Sequence, residues 1–101
     1  MIFSKQSRQR LREISDYQQR KASVSVARKI RKGIVDEGKK LHTLPESKPI
    51  LPGTEDFDPA VRYAKKWDYK IIFSVFNKNN QVSITTVRHD KEKPEDILKD
   101  L

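Results

Sequence analysis

The hydrophobic period of the chain changes midway. Through the first 44 residues apolar side chains recur every three or four positions; beyond residue 59 they alternate with polar ones. Met1–Phe3 favours an extended start, and Ser4 stands where a helix N-cap is wanted. Leu11, Ile14 and Tyr17 then fall three apart among Arg8, Arg10, Arg12, Glu13 and Gln18, a narrow stripe that predicts a helix from Lys5 to about Lys21. Lys21-Ala22-Ser23 interrupts it, and Ser23 or Ser25 can cap a second helix. On that helix Val24, Ala27, Ile30, Ile34 and Leu41 share a face, with Leu44 closing it. Gly38 either weakens the helix locally or lets a neighbouring backbone approach. Two helices with one stripe each make an αα-hairpin that needs a third surface.

Pro45, Pro49, Pro52 and Gly53 mark a loop of about ten residues, long enough in a small domain to suggest function or mobility. Pro59–Ala64 reads as a strand, turned by Lys65-Lys66-Trp67-Asp68. Tyr69, Ile71, Phe73 and Val75 take one face of the next strand, and Lys70, Ile72, Ser74 and Phe76 the other. Asn77-Lys78-Asn79-Asn80 makes a hairpin turn, because asparagine tolerates left-handed backbone angles. The strand Gln81–His89 follows, and Pro94 opens a short helix over Glu95–Leu101. The expected fold class is α+β: a helical hairpin packed on one face of a small antiparallel sheet, in the order β-α-α-β-β-β plus a short C-terminal helix. The helices take the more apolar face. The other, bearing Lys70, Ser74, Ser83 and Thr85, is expected to stay polar and open. Residues 1–101 read as one domain.

Composition narrows the chemistry. Hydrophobic residues are 35% and charged residues 36% of the 101, so the few apolar side chains must be well placed. The net charge of +8 favours a polyanionic partner. It is unevenly spread: residues 1–48 carry 13 basic and 5 acidic side chains, residues 49–101 nine of each. A basic helical layer suits phosphate, an acidic protein partner, or plain solvation. With no cysteine, disulfides, thiolate metal sites and a cysteine nucleophile are excluded, and His42 and His89 are too few for a histidine-rich metal site. No metal and no other cofactor is expected; no phosphate-cradling glycine loop and no Ser-His-Asp order is present. No apolar run approaches the roughly 20 residues that span a bilayer, and the N-terminus lacks a secretory apolar region, so a cytoplasmic protein without a membrane partner is the default.

Individual residues have plain readings beside sharper ones. His42 caps the second helix. Trp67 either anchors its hairpin or stacks on a base. Tyr63 packs, and Glu55, Asp56 and Asp58 are solvated loop acids. Lys65 and Lys66 either solubilise a turn or contact phosphate.

The chain resembles the RelE/ParE superfamily of toxins from bacterial type II toxin–antitoxin systems. The resemblance rests on Phe3-Ser4-Lys5-Gln6, on Leu44-Pro45 after the second helix, and most on Val61-Arg62-Tyr63, the run Trp67 to Val75, Val87-Arg88-His89 and Pro94-Glu95. It implies the fold already derived and a cognate antitoxin whose C-terminal segment wraps and neutralises the domain. It implies first a toxin that cuts mRNA on the ribosome, as RelE-like members do; the alternatives are inhibition of DNA gyrase without nuclease activity, as by ParE-like members, or a degenerate member that only binds its antitoxin. Metal-free RNA cleavage needs proton transfer at the 2′-hydroxyl and 5′-oxygen and stabilisation of the phosphorane. By the resemblance, Arg62, Lys70 and His89 are the candidate catalytic residues, and Lys65, Lys66 and Arg88 the candidate RNA-binding ones. Counting from the turns pairs Lys70 with Val87 and Arg62 with Ile71, which would gather Arg62, Lys70 and His89 around one phosphate. His89 has the plainer reading of a strand-end imidazole bonded to a carbonyl or to Asp90. The family's nucleases commonly carry an arginine where this chain has Lys70, and a C-terminal tyrosine or base that is absent from Glu92-Lys93-Pro94-Glu95-Asp96.

Overall fold

The structure, a computed structural model, describes residues 2–76 and 81–101. The expected turn at Asn77–Asn80 lies outside the described residues. In chain order the elements are β1 (Ile2–Phe3), α1 (Lys5–Lys21), α2 (Val24–Lys40), a 3₁₀ turn (Pro45–Ser47), β2 (Val61–Lys66), β3 (Tyr69–Phe76), β4 (Gln81–His89) and α3 (Pro94–Leu98). The α+β class and the αα-hairpin on a sheet are as the sequence implies.

Both helices begin at serines whose hydroxyls satisfy an otherwise orphaned N–H: Ser4 Oγ accepts from Ser7 N–H, and Ser23 Oγ from Val26 N–H. Leu11 of α1 and Ala27, Ile34 and Gly38 of α2 are buried. The outer members of each stripe are not core. Tyr17 and Val24 are exposed, and Leu44 is 74% exposed with a left-handed φ of 49°, because the helix has already ended at Lys40. His42 Nδ1 meets the Lys39 carbonyl at that end, as a cap should.

The sheet order is β1-β4-β3-β2. It is mixed, not wholly antiparallel: Ile2 and Phe3 pair in parallel with Ser83 and Ile84. Two residues carry too little pattern to announce their direction. Leu11, Ile34, Leu41, Ala64, Tyr69, Ile71, Phe73, Val82, Ile84 and Val87 form the core between helices and sheet. Each fully buried side chain of this kind contributes roughly 1.5–3 kcal/mol of transfer free energy.

The reverse face is not open. Leu51, Val61, Ile72 and Ile97, with Tyr63 and Leu98 against them, make a second core under the long loop and α3. That loop also runs along the outer edge of β2. Leu51 N–H donates to the Val61 carbonyl at 2.8 Å, Tyr63 N–H donates to the Pro49 carbonyl at 3.2 Å, and Ile50 bridges to Arg62. Thr54, fully buried, donates its hydroxyl to the Leu51 carbonyl at 2.7 Å. The ten-residue loop thus closes a sheet edge that would otherwise expose a ladder of N–H and C=O groups.

Candidate functional site

The site residues expected from sequence all lie at or near β2, β3 and β4, so register decides what they can do together. β2 and β3 pair Arg62 with Phe73 and Lys65 with Lys70. β3 and β4 pair Phe73 with Ile84, but Ile72 with Thr86, so one extra residue, Thr85, is accommodated in β4. Beyond that irregularity Lys70 opposes Arg88, and Tyr69 opposes His89. Paired residues share a face and neighbours alternate, so Lys70 and His89 are on opposite faces.

On the reverse face, Lys65, Lys70 and Arg88 stand side by side across three strands. Three adjacent cations repel unless countered, and the C-terminal carboxylates counter them. Asp90 takes Lys65 Nζ at 2.8 Å and Lys70 Nζ at 3.5 Å. Hydrogen bonding from Lys65 holds the Asp90 carboxyl below its ordinary value and raises Lys65 above its own. Lys70 Nζ also lies 5.2 Å from the centre of the Tyr63 ring. Arg88 reaches Glu92 at 3.0 Å and Asp100 at 2.6 Å. Asp100 further accepts from Thr86 Oγ1 at 2.8 Å and from Arg10 of α1 at 2.9 Å. Burial pushes the Asp100 carboxyl up, but these donors outweigh it and bring it down to about 2.

On the helix-bearing face, Arg62 donates Nη1 to the Lys48 carbonyl at 2.7 Å and so fastens the long loop. Phe73, its partner, lies four residues along β3 from Tyr69, roughly 13 Å at strand rise. His89 is at that far end. Its Nδ1 accepts from Lys91 N–H at 3.1 Å, which places the proton of the neutral ring on Nε2, and its ring meets Tyr69 edge-on at 5.5 Å. The expected gathering of Arg62, Lys70 and His89 around one phosphate therefore does not occur. Of the candidate RNA contacts, Lys65 and Arg88 are ion-paired on the reverse face, while Lys66 stands beside Trp67, its Nζ 4.7 Å from the ring centre. The expected four-residue turn before β3 is tighter than its sequence suggests: Lys65 and Lys66 belong to β2, and only Trp67-Asp68 turns, with Trp67 at φ 53°.

A groove of about 600 Å³ opens between α1 and the end of β4, lined by Ile14, Tyr17, Gln18, Ile30, Val87 and His89 among others. β1 pairs only with Ser83 and Ile84, so β4 runs on past it along this groove. Gln18 Nε2 donates to Tyr69 Oη at 3.0 Å, and Lys21 Nζ to Tyr17 Oη at 3.0 Å. Apolar side chains beside a strand edge, rimmed by the charges of Arg10, Glu13, Lys21, Asp68, Arg88 and Glu92, suit a peptide segment of mixed charge. Sequence reasoning did not anticipate Asp90, Glu92 and Asp100 as the partners of the cationic row; the acidic tail is legible as charge, but not its destination. Among the described residues no group of three or more His, Asp or Glu is placed to hold a metal ion, and no helix is long and apolar enough to cross a membrane.

Comparison with known proteins agrees with this architecture. A protein from the chromosomal ParDE toxin–antitoxin system of P. aeruginosa superposes with a TM-score of 0.69 at 19% identity, over 86% of this chain and 90% of that one. At that identity the likeness speaks for the fold. No curated protein matches the chain. The family model described as the ParE toxin of the type II toxin–antitoxin system parDE matches residues 1–94. With nearly the whole chain matched, from the short parallel strand to the start of the last helix, the protein belongs to the ParE toxin family.

Proposed function

We propose that this toxin acts by binding DNA gyrase without catalysing a reaction, and that its cognate antitoxin holds it inactive. The observation that carries the reading is the state of the cations a nuclease would need. Lys65, Lys70 and Arg88 are engaged by Asp90, Glu92 and Asp100, while Arg62 and His89 are at opposite ends of the other face. A metal-free phosphodiester cleavage site needs an acid, a base and a phosphorane-stabilising cation within reach of one phosphate, and this arrangement supplies no such point. ParE-family membership favours the same target, and the groove beside β4 is a fitting seat for the antitoxin segment.

The test is to add the purified chain to gyrase-driven supercoiling and, separately, to ribosomes translating a defined mRNA. Supercoiling is expected to stop while the message remains whole, and to continue when antitoxin is present. Ribosome-dependent cutting of the message, lost in His89→Ala and Lys70→Ala, would establish mRNA cleavage instead.

A further inference from the structure

The positive charge of this protein is concentrated where its own carboxylates do not reach. On α2, Arg28, Lys29, Arg31, Lys32, Lys39 and Lys40 are all exposed. Among the described residues, one contact alone engages them, Lys40 with Glu37 at 3.8 Å. Of the β-sheet cations, by contrast, Lys65, Lys70 and Arg88 are ion-paired within the molecule. Three of the α2 cations converge with a cation of the sheet. Lys29, Lys32 and Lys40 from α2 and Lys66 from β2 border a shallow recess of about 470 Å³, with Asp36 and Glu37 as its acids and Trp67 as one wall. Gly33 lets the indole of Trp67 lie directly on α2, so the hairpin tip brings Lys66 up to the helical lysines. Trp67 remains 47% exposed in this position.

We propose that this recess and the exposed face of α2 bind the phosphate backbone of duplex DNA, independently of sequence. The choice of duplex over other polyanions rests on the gyrase reading above, since gyrase presents duplex DNA to whatever binds it. Geometry supports the choice. At 17 residues α2 is a straight rod about 25 Å long, and a duplex offers a phosphate charge every ~1.7 Å of its axis. Arg28, Lys29, Arg31 and Lys32 on one side of Asp36 and Glu37, and Lys39 and Lys40 on the other, can meet counter-charge on the same duplex. An acidic polypeptide would be held chiefly by buried apolar anchors, and Trp67 is the one exposed large apolar side chain bordering the recess. Interfaces with DNA are instead polar and strongly positive. The contacts would keep the toxin on the DNA that its target is handling.

Trp67 is the only tryptophan in the chain and borders both this recess and the groove beside α1, so its emission reports on that corner of the molecule. The experiment titrates the full-length toxin with a 24-base-pair duplex of arbitrary sequence at several salt concentrations, following both tryptophan emission and the anisotropy of the labelled duplex. Binding is expected to change the Trp67 emission and to weaken steeply with salt. The triple variant Lys29→Glu, Lys32→Glu, Lys66→Glu should bind at least tenfold more weakly, with the log–log salt slope reduced by about 2 to 3. A matched triple on α1, Lys5→Glu, Arg8→Glu, Arg12→Glu, makes the same change in net charge and should keep affinity within threefold. Circular dichroism of both triples confirms that they fold. Equal losses in the two triples, undiminished binding in the first, or unchanged Trp67 emission on binding overturns the assignment. Displacement of the duplex by polyglutamate at equal charge concentration also overturns it, in favour of an acidic polypeptide. Supercoiling assays separate the two readings. Gyrase inhibition by a toxin that does not bind the duplex removes this inference alone, and duplex binding by a toxin that leaves gyrase untouched removes the gyrase reading alone.

Discussion

Arg10 of α1 and Arg88 of β4 grip one carboxylate from two sides, that of Asp100, 3.3 and 2.9 Å from Arg10 and 2.6 and 2.9 Å from Arg88. The Asp100 side chain is only 4% exposed, so the bond is not screened away by water as a surface pair would be. It ties the C-terminal turn to the first helix and to the edge of β4 at once. Asp100→Asn keeps the shape but removes the charge both guanidinium groups face, and is expected to cost roughly 2–4 kcal/mol. Arg10→Gln, which leaves Arg88 to satisfy the carboxylate, should cost about 1 kcal/mol. Urea unfolding of the two variants against the parent measures both.

Acid should reveal the same contact. The Asp100 carboxyl is at about 2 in the folded protein against an ordinary value of 3.8. Because the folded value is the lower one, the unfolded chain takes up protons first. The stabilisation is complete above the ordinary carboxylate range and is lost as pH falls toward 2. The interval corresponds to about 2 kcal/mol. Unfolding free energies measured in steps from about pH 6 to pH 2 should fall more steeply in the parent than in Asp100→Asn, the difference approaching that amount at the acid end. Parallel curves would assign the acid sensitivity to other groups.

The helices, the three-strand meander and the C-terminal turn are legible in the sequence because each carries its own period or punctuation. The placement of the candidate residues on β2, β3 and β4 was legible, but not their arrangement, and Thr85 shows why. The pairs Phe76–Gln81, Val75–Val82, Ser74–Ser83 and Phe73–Ile84 follow the register reached by counting from the turn. The extra residue then moves Lys70 from Val87 to Arg88 and puts His89 across the sheet from it. Nothing within β4 announces the irregularity. The contact made there comes from 81 positions away: Ser4 Oγ donates to the Thr85 carbonyl at 2.8 Å, and Ser4 N–H to the Ile84 carbonyl at 3.0 Å. The reverse face was misjudged for a similar reason, since Leu51, Ile97 and Leu98 lie in short segments with no period to read. Trp67 occupies the left-handed position that hairpin turns commonly give to glycine, and only its seat on Gly33 explains the choice.

Gly33→Ala tests that seat. A Cβ at residue 33 would overlap the outer ring of the Trp67 indole. Alanine favours the helix by about 0.8–1 kcal/mol over glycine, while eviction of a half-exposed indole loses packing of similar size. The two effects nearly cancel in stability. The melting temperature should therefore move by only a few degrees, while Trp67 emission shifts to the red as the ring swings into water. Unshifted emission would mean the indole does not rest on Gly33.

Two N-cap serines with identical local roles should differ in worth. Ser23 satisfies Val26 N–H at 3.1 Å in an exposed setting and does nothing further. Ser4 accepts from Ser7 N–H at 3.0 Å and also donates to the Thr85 carbonyl, holding the first helix against the displaced register of β4. Removal of a cap hydroxyl costs about 1 kcal/mol, and loss of a second, part-buried hydrogen bond adds roughly another. Ser23→Ala is thus expected to lose about 1 kcal/mol and Ser4→Ala about 2. The larger loss should be accompanied by faster amide exchange at Thr85 and Thr86, because the carbonyl left without its donor loosens the strand at that point. Equal losses with unchanged exchange in β4 would show that the displaced register is held by the sheet itself and that Ser4 only caps the helix.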